Sequence, residues 1–178
     1  IGVAITAGTE TTPNQLIQRA DSAMYGAKNR GGDRLEVWDE ELQSRAAEQL
    51  RLDADLRRAI ERAELHLNYQ PKIDLTTGSI CGVEALLRWH HPERGLVLPS
   101  DFIGAAEETG IIVRIGSWVI DEAVRQARAW LDRLPNRDGF MVSVNLSARQ
   151  LGSPSLVSTV ERALTRYDWP AEALALEL

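Results

Sequence analysis

From Leu65 onward the chain alternates between two hydrophobic periods, and this alternation restricts its possible folds more than any other feature. LHLNYQP sets Leu65, Leu67 and Tyr69 against His66, Asn68 and Gln70, the period of two that belongs to a strand. SICGVEALLRW, FMVSVNLS and ALALEL read as three more strands. Between them the period changes to that of a helix. Ser100 is placed to cap a helix that runs to about Thr109 and is closed by Gly110. Ile112, Ile115, Val119, Ala123, Trp130 and Leu131 mark a long amphipathic helix ending near Pro135, and Ser153-Pro154 opens another that carries Leu156, Val160, Leu164 and Tyr167. HHPERGLVLP reads as a loop. Strands alternating with helices predict an α/β fold built from parallel βα units.

The segment before Leu65 has a different character. IGVAIT reads as a strand, and Leu16, Ala20, Ala23, Met24 and Ala27 lie at helical spacing between Gln15 and Asn29. Arg30-Gly31-Gly32-Asp33 stops that helix, and LEVW reads as one more short strand. These elements carry too little apolar surface to form a domain alone, so they read as the end of one. The start at Ile1 likewise suggests a piece of a longer protein. Residues 39–64 are polar, with the acid-before-base pairs Glu41/Arg45 and Asp53/Arg57 over a thin leucine stripe, as in a solvated connecting helix. The expected layout is therefore 1–38 as a domain end, 39–55 as a helical linker and 56–178 as the start of a second domain.

Charge narrows the partners. With 20 Lys and Arg against 26 Asp and Glu, the net charge of −6 argues against duplex nucleic acid as the main partner. A small anion remains open, because a few local cations or metals suffice. One cysteine makes no internal disulfide. No run approaches the ~18–20 apolar residues that span a bilayer. The expected location is cytoplasmic, in a parent that has room for an upstream sensor or membrane region.

Each strand has an apolar face and a second face that is small at first and ends in an oxygen-bearing side chain. Gly82, Glu84, Leu86 and Arg88 share that face in the second strand, Met141, Ser143 and Asn145 in the third, and Ala173, Ala175 and Glu177 in the fourth. Gln70 sits on the polar side of the first. In parallel α/β folds ligands bind at the carboxyl ends of the strands. Taken singly, Glu84 and Glu177 read as rim charges and Asn145 as a turn former. Taken together, two carboxylates converging on one site repel unless a cation neutralises them. Two carboxylates and an amide oxygen are hard donors that suit Mg²⁺, Mn²⁺ or Ca²⁺ rather than zinc. Neighbouring His90 and His91 point apart and carry little weight as ligands.

YQPKIDLTTGSICGVEALLRW, LPSDFIGAAEETGIIVRIGSWVIDEA, VSVNLSARQL and ALALEL together resemble the EAL family of cyclic di-GMP phosphodiesterases, from about Leu56 to Leu178. IGVAIT followed by LIQRADSAMYGAKNRGGDR resembles the C-terminal end of a GGDEF, or diguanylate cyclase, domain. The resemblance implies a TIM-like (β/α) barrel, of which the chain holds the first half, since such barrels need ~250 residues. It implies Glu84, Asn145 and Glu177 as ligands of Mg²⁺ or Mn²⁺, and Gln70, Leu86 and Arg88 as substrate contacts, with the arginine on a phosphate. The implied reaction is hydrolysis of cyclic di-GMP to linear pGpG. The family's lysine and paired aspartates would lie beyond Leu178, so no residue here is assigned to proton transfer. Lys28 matches a phosphate-contacting lysine of cyclases, and a homodimer through the EAL domain is implied. Gly104 stands where the family usually has proline. A degenerate domain that senses cyclic di-GMP, or a parent that is mainly a cyclase, are the competing readings.

Overall fold

The computed structural model describes residues 1–6, 11–29, 32–39, 51, 52, 54–131, 133 and 139–178. Its contacts divide the chain into two units, Ile1–Ala54 and Asp55–Leu178.

In the first unit, β1 (Gly2–Val3) pairs in parallel with β2 (Glu36–Val37), joined by α1 (Pro13–Asn29). Both predicted strands are thus present but short. Thr12 and Gln15 cap α1 reciprocally: the Gln15 N–H donates to the Thr12 hydroxyl at 3.3 Å, and the Thr12 N–H donates to the Gln15 amide oxygen at 2.8 Å. Proline at the first helical position costs no hydrogen bond. Ala23 and Ala27 are the buried stripe of α1. Gly32, at φ +68°, donates to the Ala27 carbonyl and closes the helix, as a left-handed glycine does. Arg30, Gly31 and most of the expected linker, including Glu41, Arg45 and Asp53, lie outside the described residues.

In the second unit, residues 55–59 are helical and lead into β3 (Leu65–Ile73). β4 (Ile80–His91) returns antiparallel to β3, with Gln70 opposite Glu84. This corrects the expectation of parallel units throughout. The connection from Asp74 to Ser79 is far shorter than the dozen or so residues that a parallel crossover requires. The Asp74 carboxylate accepts the Thr76 N–H at 2.7 Å, and Gly78 supplies φ +68°, so the segment is built as a tight turn. A second hairpin follows. β5 (Gly95–Val97) folds back on β4 with Leu96 opposite His90, so a short strand occupies the predicted loop.

From there the parallel pattern holds. β6 (Met141–Asn145) pairs with β4, and β7 (Leu174–Glu177) with β6, giving the order β3-β4-β6-β7. α2 (Pro99–Thr109) and α3 (Ile112–Leu131) lie between β5 and β6. Leu98, which has no capping side chain, precedes α2, so Ser100 is inside the first turn rather than capping it. Gly110 closes α2 at φ 77°, as expected. α4 (Ala148–Leu151) follows β6 and was not anticipated. α5 (Leu156–Tyr167) begins after Ser155, and a 3₁₀ turn at Ala171–Ala173 precedes β7. The expected end of the long helix near Pro135 lies outside the described residues.

The core forms where the apolar sheet face meets α2 and α3. Val83, Ala85, Val142 and Val144 are buried with Phe102, Ala106, Ile115, Ile120 and Val124. Trp89 is fully buried, with its ring centroid 5.5 Å from that of Phe102, and donates to the Glu64 carboxylate at 3.0 Å. His91 Nε2 bonds to Asp55 at 3.3 Å, while Nδ1 accepts from the N–H groups of Glu93 and Arg94. His90 points the other way, towards His66, so the two adjacent histidines share no ligand direction. These bonds fix the helical segment before β3 to the far end of β4.

Candidate functional site

The strand register assembles the candidate residues. Gln70, Glu84, Ser143 and Ala175 stand in one cross-strand row, and Asn145 pairs with Glu177 one step further along β6 and β7. Odd and even positions alternate between faces, so all of these share the face opposite the apolar core. Asn145 and Glu177 close their strands, as expected. Glu84 does not: it lies in the first half of β4, which continues to His91 because its far half builds the hairpin with β5. Gln70 is level with Glu84 through the antiparallel hairpin, and not as a residue at the end of a parallel strand.

Asn145 Nδ2 donates to Glu84 Oε1 at 2.7 Å, which joins two of the three proposed metal ligands directly. The third, Glu177, is held by a group that the sequence reading did not single out. Lys72 Nζ lies 2.5 Å from Glu177 Oε1 and 2.6 Å from Ser143 Oγ. That ammonium, with the Ser143 hydroxyl, holds the Glu177 carboxyl below its ordinary value. Lys72 pairs across the sheet with Gly82, which presents no side chain, and its stem reaches past Gly82 to β6. A Cβ at position 82 would sit 2.5 Å from the Met141 carbonyl oxygen. A signal for Lys72 and Ser143 was present, since each stands two residues from a chosen residue on the same strand face.

The set suits a hard divalent cation. It offers two carboxylates and an amide, all oxygen donors. It also already carries a cation in direct contact with Glu177, as a convergence of negative charge demands. Among the described residues, no group of three or more His, Cys, Asp or Glu is close enough to hold a metal by itself. The amide oxygen of Asn145 is the further oxygen donor that the set offers beside the two carboxylates.

Leu86, Arg88 and Asn145 line a cavity of about 350 Å³ together with Pro99, Glu107, Gly116, Ser147 and Gln150. The Arg88 guanidinium donates to the Leu87 carbonyl at 2.7 Å, which anchors one of its nitrogens. Gln70 is exposed and lies outside this cavity. Lys28 is exposed in the last turn of α1, in the other unit.

The turn carrying Asn145 is held from both sides. The Leu146 N–H donates to the Glu177 carbonyl at 2.7 Å. Ser147 opens α4 with a capping box: the Gln150 N–H reaches the Ser147 hydroxyl, and the Ser147 N–H reaches the Gln150 amide oxygen at 3.1 Å. Gln150 is buried against Gly116 of α3, where any Cβ would fall 1.7 Å from its amide nitrogen. S-A-R-Q is a capping-box pattern visible in sequence, whereas the contact of Gln150 with Gly116 has no local signal.

Known proteins extend this picture. Over its whole 178 residues the chain is 45% identical to "Bifunctional diguanylate cyclase/cyclic di-GMP phosphodiesterase MucR" of Pseudomonas aeruginosa, of which it covers 26%. It is 39% identical over the same length to "Cyclic di-GMP phosphodiesterase PdeR" of Escherichia coli, again covering 26%. The chain thus spans about a quarter of the length of these relatives. Among solved structures, the cyclic di-GMP complex of the PaMucR phosphodiesterase aligns at a TM-score of 0.67 and 48% identity, over 72% of this chain and 51% of that one. The EAL domain family model matches residues 53–178, and the chain belongs to the EAL domain family.

Proposed function

We propose that this chain is part of a phosphodiesterase that hydrolyses one phosphodiester bond of cyclic di-GMP to give linear pGpG. The convergence of Glu84, Asn145 and Glu177 on one sheet face carries the reading. The cyclic di-GMP phosphodiesterase activities named for MucR and PdeR, and the cyclic di-GMP in the PaMucR complex, supply the substrate. Residues 56–178 would then be the first half of a TIM-like barrel, 39–55 the connection between domains, and 1–38 the end of a GGDEF domain, of which Lys28 would be a remnant phosphate contact. The similarity to a bifunctional cyclase and phosphodiesterase, which runs through the first 38 residues, favours that layout. A cytoplasmic homodimer pairing through the EAL domain is part of the same reading.

Glu84, Asn145 and Glu177 would hold Mg²⁺ or Mn²⁺. When bound, such an ion polarises the phosphodiester and lowers the pKa of water. The other residues bind and orient. Arg88, at the wall of the cavity, offers a guanidinium fork that fits a phosphodiester oxygen pair. Leu86 gives the cavity an apolar wall beside it, and Gln70, level with Glu84, offers an amide that can both donate and accept.

The test uses the full-length protein. Glu84→Ala should abolish Mg²⁺- or Mn²⁺-dependent release of pGpG and leave the thermal transition in place. Retained hydrolysis by that variant, or full activity in a chelator, refutes the metal assignment. Tight cyclic di-GMP binding without turnover in the unaltered protein would instead establish a sensor.

A further inference from the structure

We propose that Lys72 is a built-in cation that competes with the divalent metal for Glu177, so that this lysine sets the metal affinity of the site. The inference rests on the metal reading given above and adds a residue to it. Lys72 is on β3 and Glu177 on β7, with β4 and β6 between them in the sheet. The contact exists because Gly82 leaves its place in the row empty of side chain, and because Ser143, 2% exposed, accepts a second ammonium hydrogen bond.

This ammonium therefore has a seat inside the proposed ligand set, on a side chain that is 38% exposed and still open to solvent. An ammonium on a carboxylate oxygen takes up both the lone pair and the charge that a hard divalent ion would use. It also repels a dication that arrives beside it, at a separation where solvent screens only in part. Both effects weaken metal binding. Orientation of Glu177 by the same bond acts in the opposite direction, and a neutral donor could supply it. In the absence of metal, the lysine supplies the charge that compensates Glu177.

The experiment measures Mn²⁺ binding alone, by electron paramagnetic resonance of the free ion, on the full-length protein without nucleotide. Lys72→Met and Lys72→Gln are compared with the unaltered protein. Lys72→Gln keeps a hydrogen-bond donor of similar reach but no charge, and remains informative if the methionine variant folds poorly. The expected result is a Kd for Mn²⁺ at least fivefold lower in Lys72→Gln, together with a lower Tm in chelator and a larger rise in Tm on adding Mn²⁺. An unchanged or higher Kd overturns the competition and leaves Lys72 a support for Glu177. Failure of the unaltered protein and of both variants to bind Mn²⁺ at millimolar concentration overturns the metal reading itself, whereas variants that bind where the unaltered protein does not support the competition in its strongest form.

Discussion

Gly116→Ala should destabilise the second unit even though alanine is the better helix residue. Gly116 lies inside α3, where alanine is worth ~1 kcal/mol more than glycine. Its Cβ, however, would stand 1.7 Å from Gln150 Nε2 and 2.5 Å from Cδ, so the buried amide has to leave its seat. Expelling it breaks the bond from the Ser147 N–H, worth ~1 kcal/mol, while the Gln150 N–H still reaches the Ser147 hydroxyl. The overpacking that remains costs ~1–3 kcal/mol. Against the gain in propensity, the net loss is about 1–3 kcal/mol. Gln150→Ala alone forfeits the bond from the Ser147 N–H and some burial, about 1–2 kcal/mol. In the double variant nothing is left to collide, and the alanine keeps its advantage in the helix, so it should be no less stable than Gln150→Ala. Urea unfolding of the four proteins closes the cycle, with an expected coupling of ~2–4 kcal/mol, since a ~1–3 kcal/mol loss becomes a ~1 kcal/mol gain. Additivity within ~0.5 kcal/mol would refute the claim that Gly116 exists to seat Gln150. The same contact positions the turn after Asn145, so the proposed phosphodiesterase activity of the full-length protein should fall in Gly116→Ala.

Arg88→Ala should raise KM for cyclic di-GMP and lower kcat/KM by about 10–150-fold, the value of ~1.5–3 kcal/mol for a charged hydrogen bond, while Mn²⁺ affinity is unchanged; an unaltered kcat/KM would remove Arg88 from the site. The Asp55 carboxyl is held below its ordinary 3.8, chiefly by the hydrogen bond from Arg58 and further by His91. Its folded-state value is depressed, so the stability it contributes is present above pH ~4 and is lost as pH falls through the lowered value. The gap in Tm between the unaltered protein and Asp55→Asn should therefore be larger at pH 6 than below pH 3, and a gap constant with pH would count against this pairing. Gly104→Ala should stabilise by ~0.5–1 kcal/mol in thermal or urea melts, because this helical position is exposed and a Cβ there meets nothing within 4 Å. A loss of stability would mean that the glycine has a role in α2 beyond leaving space.

Hydrophobic period was enough to find the strands of the second unit that carry candidate residues and to assign their faces, because side chains on a strand must alternate and one face must be buried. Val142 and Val144 point into the core and Asn145 points away from it, as their spacing requires. Glycine positions were legible for a similar local reason. Gly110 and Gly32 end their helices at positive φ, which few other residues tolerate. The sequence also marked Glu84, Asn145 and Glu177 as one group, since convergent carboxylates need a cation wherever they meet.

Strand direction was decided by tertiary structure. A period of two is the same for a strand running either way, so the antiparallel return of β4 on β3 was not encoded in the pattern that revealed both strands. The clue lay in the short Asp74–Ser79 turn, a matter of reach rather than of period. The hairpin through β5 was missed because its three residues are too few to display a period at all. Side-chain partnerships across distant strands depend on register and on what the strands between leave empty. Lys72 meets Glu177 across 105 positions in sequence because Gly82 leaves the way open and Ser143 supplies a second acceptor. Gly116 and Gln150 are likewise an ordinary helix glycine and an ordinary capping residue until packing puts them in contact. Local sequence determines which face a side chain occupies, and only the assembled sheet and helices decide which distant side chain it meets there.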